Sequence, residues 1–264
     1  MKPQYKEEVI ELLYQLADDD LLVSYRGSEW LGLVPHIEED VAYSSITQNT
    51  MGHANIYYSL LEELGEGKVD DLAHLRPAGE RKNAIILEEK NGPGHWLYGE
   101  PRYDWAFTVV RNYFYEAIKK RKIDSLKQSS YEPLRQVAVK IDTEIPYHLM
   151  HWRTWFEQLV RAGGEAEERM KAAVARVWED IGGVLSLGPN EEKIVEAGLI
   201  ESEAVLKERF LEDINKKFTE LGLKMPGEPG MKKGDGRAGF HTEDLEEALA
   251  QLSEVYALNP AVPW

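Results

Sequence analysis

Two helical stretches of this sequence carry a histidine inside an apolar stripe, each with a second polar side chain one turn away. In residues 38–64, Ala42, Ile46, Asn49, His53, Ile56, Leu60 and Leu64 recur at three-four spacing, which puts Asn49 and His53 on one helix face. In residues 130–162, Val137, Ile141, Glu144, His148, Trp152, Trp155 and Leu159 do the same. Buried carboxylates and imidazoles on facing helices are the donors of a carboxylate-bridged di-iron bundle. That chemistry takes Glu-x-x-His from each of two helices and one Glu from each of two others. The residue three before His53 is Thr50, and the residue three before His148 is Ile145; no Glu-x-x-His occurs in the 264 residues. The frame of such a site is legible, but its defining ligands are not there.

The elements that must position these residues are nearly all helical. Pro3 suits the first turn of a helix to about Tyr25, with Val9, Leu13, Leu16, Asp20 and Val23 facing inward. Pro35 opens a second helix that Gly65 and Gly67 close. Residues 66–101, rich in Gly and Pro, form a long crossover with short helices. A third helix spans about 102–127, with Trp105, Val109, Asn112 and Glu116 on one stripe. A fourth is expected to run unbroken over about 130–162, started by a Ser129/Glu132 capping box and ended by Gly163-Gly164. Further helices are expected over about 165–181, 201–221 and 242–258, with a mobile loop at 222–239. Asp20 to Asn49 is 29 positions and Glu116 to Glu144 is 28, which suggests a duplicated helix pair. The reading is one all-α domain over 1–264, a four-helix core at about 4–163 with a C-terminal helical extension at about 164–264.

Composition narrows the partners. A net charge of −16 argues against nucleic acid and anionic membrane surfaces. The absence of cysteine and of any leader-like or membrane-length apolar run points to a cytoplasmic protein. Glu116, Glu144 and His148 could form half a metal site, but a Glu one turn before a buried His more simply satisfies it as a hydrogen-bonded pair. Of the run Asp18-Asp19-Asp20, two are expected in solvent and one inside. Asp71-x-x-His74 lies in the crossover and reads as surface. Lys119-Lys120-Arg121-Lys122 could hold acyl-CoA phosphates, but a solvated helix end is the simpler reading. Tyr113, Trp152, Trp155 and Phe156 read as core or subunit contact. Trp30, Trp96, Tyr98 and Trp264 are candidates for an exposed aromatic interface.

Several groupings together carry a family resemblance. These are Asp18 with Ser24, Arg26 and Glu29-Trp30; Pro35 with Glu38 and Asp40; and Gly52-His53-Ala54. Tyr113-Phe114 with Glu116, Glu144 with Tyr147-His148-Leu149, Gly239-Phe240-His241-Thr242-Glu243 with Leu245, and Pro263-Trp264 complete the set. Over its whole length the chain resembles the C-component family of the bacterial phenylacetyl-CoA epoxidase, ferritin-like proteins of phenylacetic acid degradation. Asn49 and His53 stand where the resemblance leads one to expect Asp and Gln.

The resemblance implies a ferritin-like fold and a related catalytic subunit that carries the di-iron site and binds phenylacetyl-CoA. NADPH, FAD and iron-sulfur chemistry would belong to a separate reductase. The expectation is therefore a non-catalytic structural subunit that binds no cofactor or metal itself, with a homodimer in isolation left open. Asp20, Asn49, His53, Glu116, Glu144 and His148 are then vestiges of a metal site. The alternative is an active ferritin-like oxygenase with an unusual or half metal site built from Glu116, Glu144, His148 and His53.

Overall fold

Three consecutive aspartates in one helix must each find either water or a partner, and that requirement organises the first part of the fold. The computed structural model describes residues 5–96 and 99–262. Helix α1 (Lys6–Ser28) is buried from Leu12 to Gly27 except at the half-buried Tyr14. A helix covered on every side has no solvated face to which charges can be turned. Asp18, Asp19 and Asp20 are accordingly all buried, which corrects the expectation that two of them face solvent.

Helix α2 (Ile37–Glu63) packs along α1. Gly27 permits the close approach, since a Cβ there would lie 2.6 Å from the Thr47 hydroxyl and 3.2 Å from the Tyr43 ring. The buried face of α2 runs through Tyr43, Thr50, His53, Ala54, Tyr57 and Leu61. Ala42, Ile46, Asn49 and Ile56, expected at the centre of the buried stripe, are half-buried. The large tyrosines pull the helix round, because burying their rings removes more apolar area from water.

The crossover contains α3 (Val69–His74) and α4 (Ile85–Glu88), as its composition suggested. Helix α5 (Trp105–Leu126) begins where the Asp104 carboxylate accepts from the Phe107 N–H at 3.2 Å, an N-cap bond. The expected unbroken fourth helix is two, α6 (Glu132–Ile141) and α7 (Ile145–Arg161). Pro146 is the reason. It has no N–H to donate to Asp142, and its ring would strike that carbonyl, so the chain turns at 142–144 and restarts with Pro146 in the first turn. Helices α8 (Gly164–Trp178), α9 (Gly182–Leu185), α10 (Glu191–Glu196), α11 (Glu203–Leu221) and α12 (Glu243–Ser253) complete the chain.

Among the described residues there is no strand, so the protein is all-α, in agreement with a ferritin-like helical bundle. Among them, too, no helix is long and apolar enough to cross a membrane.

The chain divides into two compact units. The first comprises the chain up to Lys90, Gly188–Asn190 and the chain from Lys233 on, and holds α1–α4 and α12. Its core sets Leu12, Leu13 and Leu22 of α1 with Tyr57, Tyr58 and Leu61 of α2 and Ile86 and Leu87 of α4. The second comprises Asn91–Leu187 and Glu191–Lys232 and holds α5–α11. Its core is aromatic. Phe114 of α5 lies with ring centroids 5.5 Å from Trp178, 6.1 Å from Phe210 and 6.2 Å from both Phe156 and Phe218.

Candidate functional site

In the second unit, α5 is buried through most of its length and carries Glu116 inside; α7 brings His148 to it. His148 Nδ1 lies 3.1 Å from Glu116 Oε1, and both side chains are almost wholly buried. Burial by itself would raise the carboxyl pKa, but the His148 ring, by charge and by hydrogen bond, and the Lys119 ammonium outweigh it and hold Glu116 below its ordinary range. Glu116 is therefore a carboxylate. Its second oxygen, Oε2, has no hydrogen-bond partner among the described residues.

Glu144 is not in the stripe. It occupies the N-cap position of α7, half-buried, because the Pro146 turn lifts it off the helix line. The bond observed at His148 Nδ1 thus comes from Glu116 on another helix rather than from the i, i+4 neighbour that the spacing favoured. Ile145, at the place a Glu-x-x-His ligand would take, is fully buried hydrocarbon.

In the first unit, Asp20 and His53 are buried and Asn49 is half-buried. Burial first, then the charge of Asp20, drive the Tyr57 hydroxyl well above its ordinary pKa. Thr50, the other position where a ligand carboxylate would stand, donates its hydroxyl to the Ile46 carbonyl of its own helix at 2.9 Å.

The charged centre of this unit lies instead at the neighbouring aspartates. Asp18 accepts from Arg76 at 2.8 and 2.9 Å, from Tyr58 at 2.5 Å, from Arg81 at 3.3 Å and from the Lys82 N–H at 2.8 Å. Burial opposes its charge, yet Arg76 and Arg81 bring its pKa down to about 2. Asp19 accepts from Arg237 through both oxygens, at 2.8 and 2.7 Å, and from the Ala84 N–H at 2.8 Å. Arg237, fully buried, also donates to the Lys82 carbonyl. It anchors a segment that composition marked as mobile. Beside it, buried Glu88 accepts from the Thr242 N–H and hydroxyl at 2.6 and 2.9 Å and from Asn83 at 2.8 Å, with His241 Nδ1 also 2.8 Å away. In the sequence His241 stands out only as part of a resemblance, Asp18 also as one of an acidic run, and the arginines that hold these acids carry no local signal.

The remaining candidates fall as follows. The Asp71 carboxylate accepts from the Tyr256 hydroxyl at 2.8 Å, so it is tied into the first unit. Lys119 and Lys122 are buried, which corrects the solvated reading of the basic run, while Lys120 pairs with Asp124 and Asp142 and Arg121 with Asp213. Trp152 and Phe156 are core, as expected, and the Tyr113 and Phe156 rings meet at 5.1 Å. Trp30 is buried rather than exposed, and Trp96 is exposed; Tyr98 and Trp264 lie outside the described residues.

A carboxylate-bridged pair of irons needs several anionic oxygens to balance its charge. One carboxylate on one imidazole, a back-bonded threonine and a buried isoleucine do not meet that need. Among the described residues no three His, Asp or Glu side chains gather as a metal centre requires.

Comparison with known proteins gives a match to the family described as phenylacetic acid catabolic protein over residues 1–264. The chain is also similar to the C component of the 1,2-phenylacetyl-CoA epoxidase of Escherichia coli (strain K12). The two are 27% identical over 251 residues, covering 95% of this chain and 96% of the relative.

Proposed function

The chain belongs to the phenylacetic acid catabolic protein family, and from that premise we propose that it is the non-catalytic, metal-free structural subunit of a multicomponent phenylacetyl-CoA epoxidase. It supports a related ferritin-like subunit that carries the di-iron site and binds phenylacetyl-CoA. NADPH, FAD and iron-sulfur centres belong to a separate reductase, and the assembly works in the cytoplasm in aerobic phenylacetate degradation. The 27% identity to the C component of an epoxidase, along nearly the whole of both chains, supports the placement.

One observation carries the non-catalytic reading. At the two positions where the bundle chemistry calls for a ligand carboxylate, Thr50 spends its hydroxyl on the Ile46 carbonyl and Ile145 is buried hydrocarbon. Iron analysis of the full chain, produced alone with excess iron, tests it. The expected content is well below one iron per chain, with no oxygen-dependent turnover until the catalytic subunit is added. About two irons per chain with turnover by the chain alone would overturn it. The rival reading, an oxygenase with half a metal site at Glu116 and His148, draws its support from the unpartnered Glu116 Oε2. It requires iron that is lost on Glu116→Gln, so the same measurement separates the two.

A further inference from the structure

Several solvent-facing helix surfaces in this chain are charged, although Val139, Tyr147 and Met150 stand exposed on α6 and α7. The outer face of α8, for example, carries Glu165, Glu168, Arg169 and Lys171, paired with one another. Helix α2 breaks the pattern. From Val41 to Leu61 it contains no Asp, Glu, Lys or Arg, although Val41, Ser45, Gln48, Met51, Gly52 and Asn55 are all exposed. The approach to it is openly apolar: Leu31 is 66% exposed, Leu33 41%, Ile37 77% and Val41 69%. The turn that carries Leu31 and Leu33 folds back on the helix that carries Ile37 and Val41. The Gly32 N–H donates to the Asp40 carboxylate at 2.7 Å, which folds the turn onto the first turn of α2, and Ile37 and Val41 share a face at i, i+4. Contiguous exposed aliphatics of this kind mark a surface that is covered in use.

Charge identifies what covers it. Between Arg26 and Lys68 there is no Lys or Arg but there are seven acidic residues, with exposed Glu38 at one end of α2 and exposed Glu62 and Glu63 at the other. A second copy of this chain would bring the same acids to the same ends and be repelled. The complement is a different chain, with an uncharged apolar face along its centre and Lys or Arg at both margins. From Ile37 to Ser59 the face is about 33 Å long at the helical rise per residue, the length of a helix lying alongside.

We propose that the 31–41 turn and the outer face of α2 are the surface on which this chain docks its companion catalytic subunit, through a basic-rimmed apolar helical face of that subunit. The inference rests on the structural-subunit reading above and gives that subunit its place. It does not use the exposed aromatics that the sequence offered.

The test is co-expression of the full chain with the di-iron subunit of the same organism's epoxidase, read by co-elution and by a titrated dissociation constant. Ile37→Glu and Val41→Glu change only exposed positions, so circular dichroism and melting should match the wild type, as should an Ala172→Glu control on the exposed face of α8. Each of the first two should weaken binding on the order of 30-fold or more, because a charge is forced into the apolar centre of the contact. The control should bind normally. Glu38→Lys combined with Glu62→Lys should weaken binding less and remove part of its salt dependence. If the wild-type chain binds the catalytic subunit and Ile37→Glu and Val41→Glu bind it equally well, the surface assignment is overturned and the structural-subunit reading stands. If the wild type does not bind that subunit at all, the structural-subunit reading fails first, and this one with it. A homodimer of the isolated chain that dissociates on Val41→Glu would overturn the choice of partner.

Discussion

The two units solve the same problem, a carboxylate inside a helical core, in opposite ways. In the first, Asp18 and Asp19 are each met by a forked arginine and a backbone N–H from distant parts of the chain, and Asp18 also by Tyr58 and a second arginine. In the second, Glu116 has one imidazole partner, the field of Lys119, and one oxygen without a hydrogen bond. A carboxylate enclosed by guanidinium groups is a cross-link, because its lone pairs are taken and its charge is balanced. One with a bare oxygen is only partly satisfied. The difference teaches that burial by itself does not single out an acidic residue for chemistry. The heaviest acidic investment is in fastening the segment from Lys233 onward to α1 and the crossover.

If that contrast is right, the largest effect comes from breaking a cross-link. Arg237→Ala leaves Asp19 buried with one backbone donor and no counter-charge, a loss of about 3–5 kcal/mol. Chemical denaturation should show it, and limited proteolysis should cut beyond residue 233 sooner than in the wild type. A change under about 1 kcal/mol would mean that Asp19 is satisfied without its arginine, and the contrast between the units would dissolve.

The next effect is a pH dependence. Asp18 falls from an ordinary 3.8 to about 2 in the fold, so the folded state favours its charged form. That stabilisation is complete above pH 4 and is lost as pH falls through the window from 3.8 toward 2, a change of about 2 kcal/mol. Asp18→Asn should flatten the stability curve across that window while lowering stability at neutral pH. An unchanged slope between pH 4 and 2 would assign the acid sensitivity to other carboxylates.

These two predictions concern residues whose roles a single sequence hides. Arg76, Arg81 and Arg237 stand 58, 63 and 218 positions from their aspartate partners, in a crossover and a loop whose composition says only that they are irregular. A three-four pattern can say which face of a helix turns inward. It cannot say that α1 is buried on nearly every side from Leu12 to Gly27, because that depends on what surrounds it. The inner placement of Glu116 and His148 is legible for the same reason, since each lies on a stripe of its own helix. Glu144 is misplaced by the pattern although the cause stands two residues later. A proline restarts the helix and breaks the stripe's phase, and the apolar repeat runs through it regardless. The exposed turn at 31–38 is legible as composition, yet the neighbouring aromatic makes the stronger signal, and Trp30 is buried.

A smaller effect separates a partly satisfied pair from a functional one. Glu116→Ala takes from His148 its carboxylate partner in an apolar core and should cost about 1–3 kcal/mol. Glu116→Leu with His148→Leu should cost less than the two single changes together, since both members of the pair are then hydrocarbon. Because Glu116 is held below its ordinary range, its contribution is present above that range and fades as pH falls through its lowered value. Turnover of the assembled complex should survive the double change, provided binding does. Loss of turnover with normal binding and normal stability would make the pair part of the chemistry.

The smallest effect belongs to Glu144, and it discriminates most finely between the stripe and the turn. A Glu inside the stripe would be as costly to remove as Glu116. A half-buried carboxylate at the N-cap position of α7 lies at the positive end of that helix, an interaction worth about 0.3–1 kcal/mol and screened by salt. Glu144→Ala should therefore fall in that range in dilute buffer and shrink further at about 1 M salt, where screening is nearly complete. Glu116→Ala should change little with salt because its partner is buried beside it. Equal costs for the two, both insensitive to salt, would return Glu144 to the core and undo the reading of Pro146 as the break between α6 and α7.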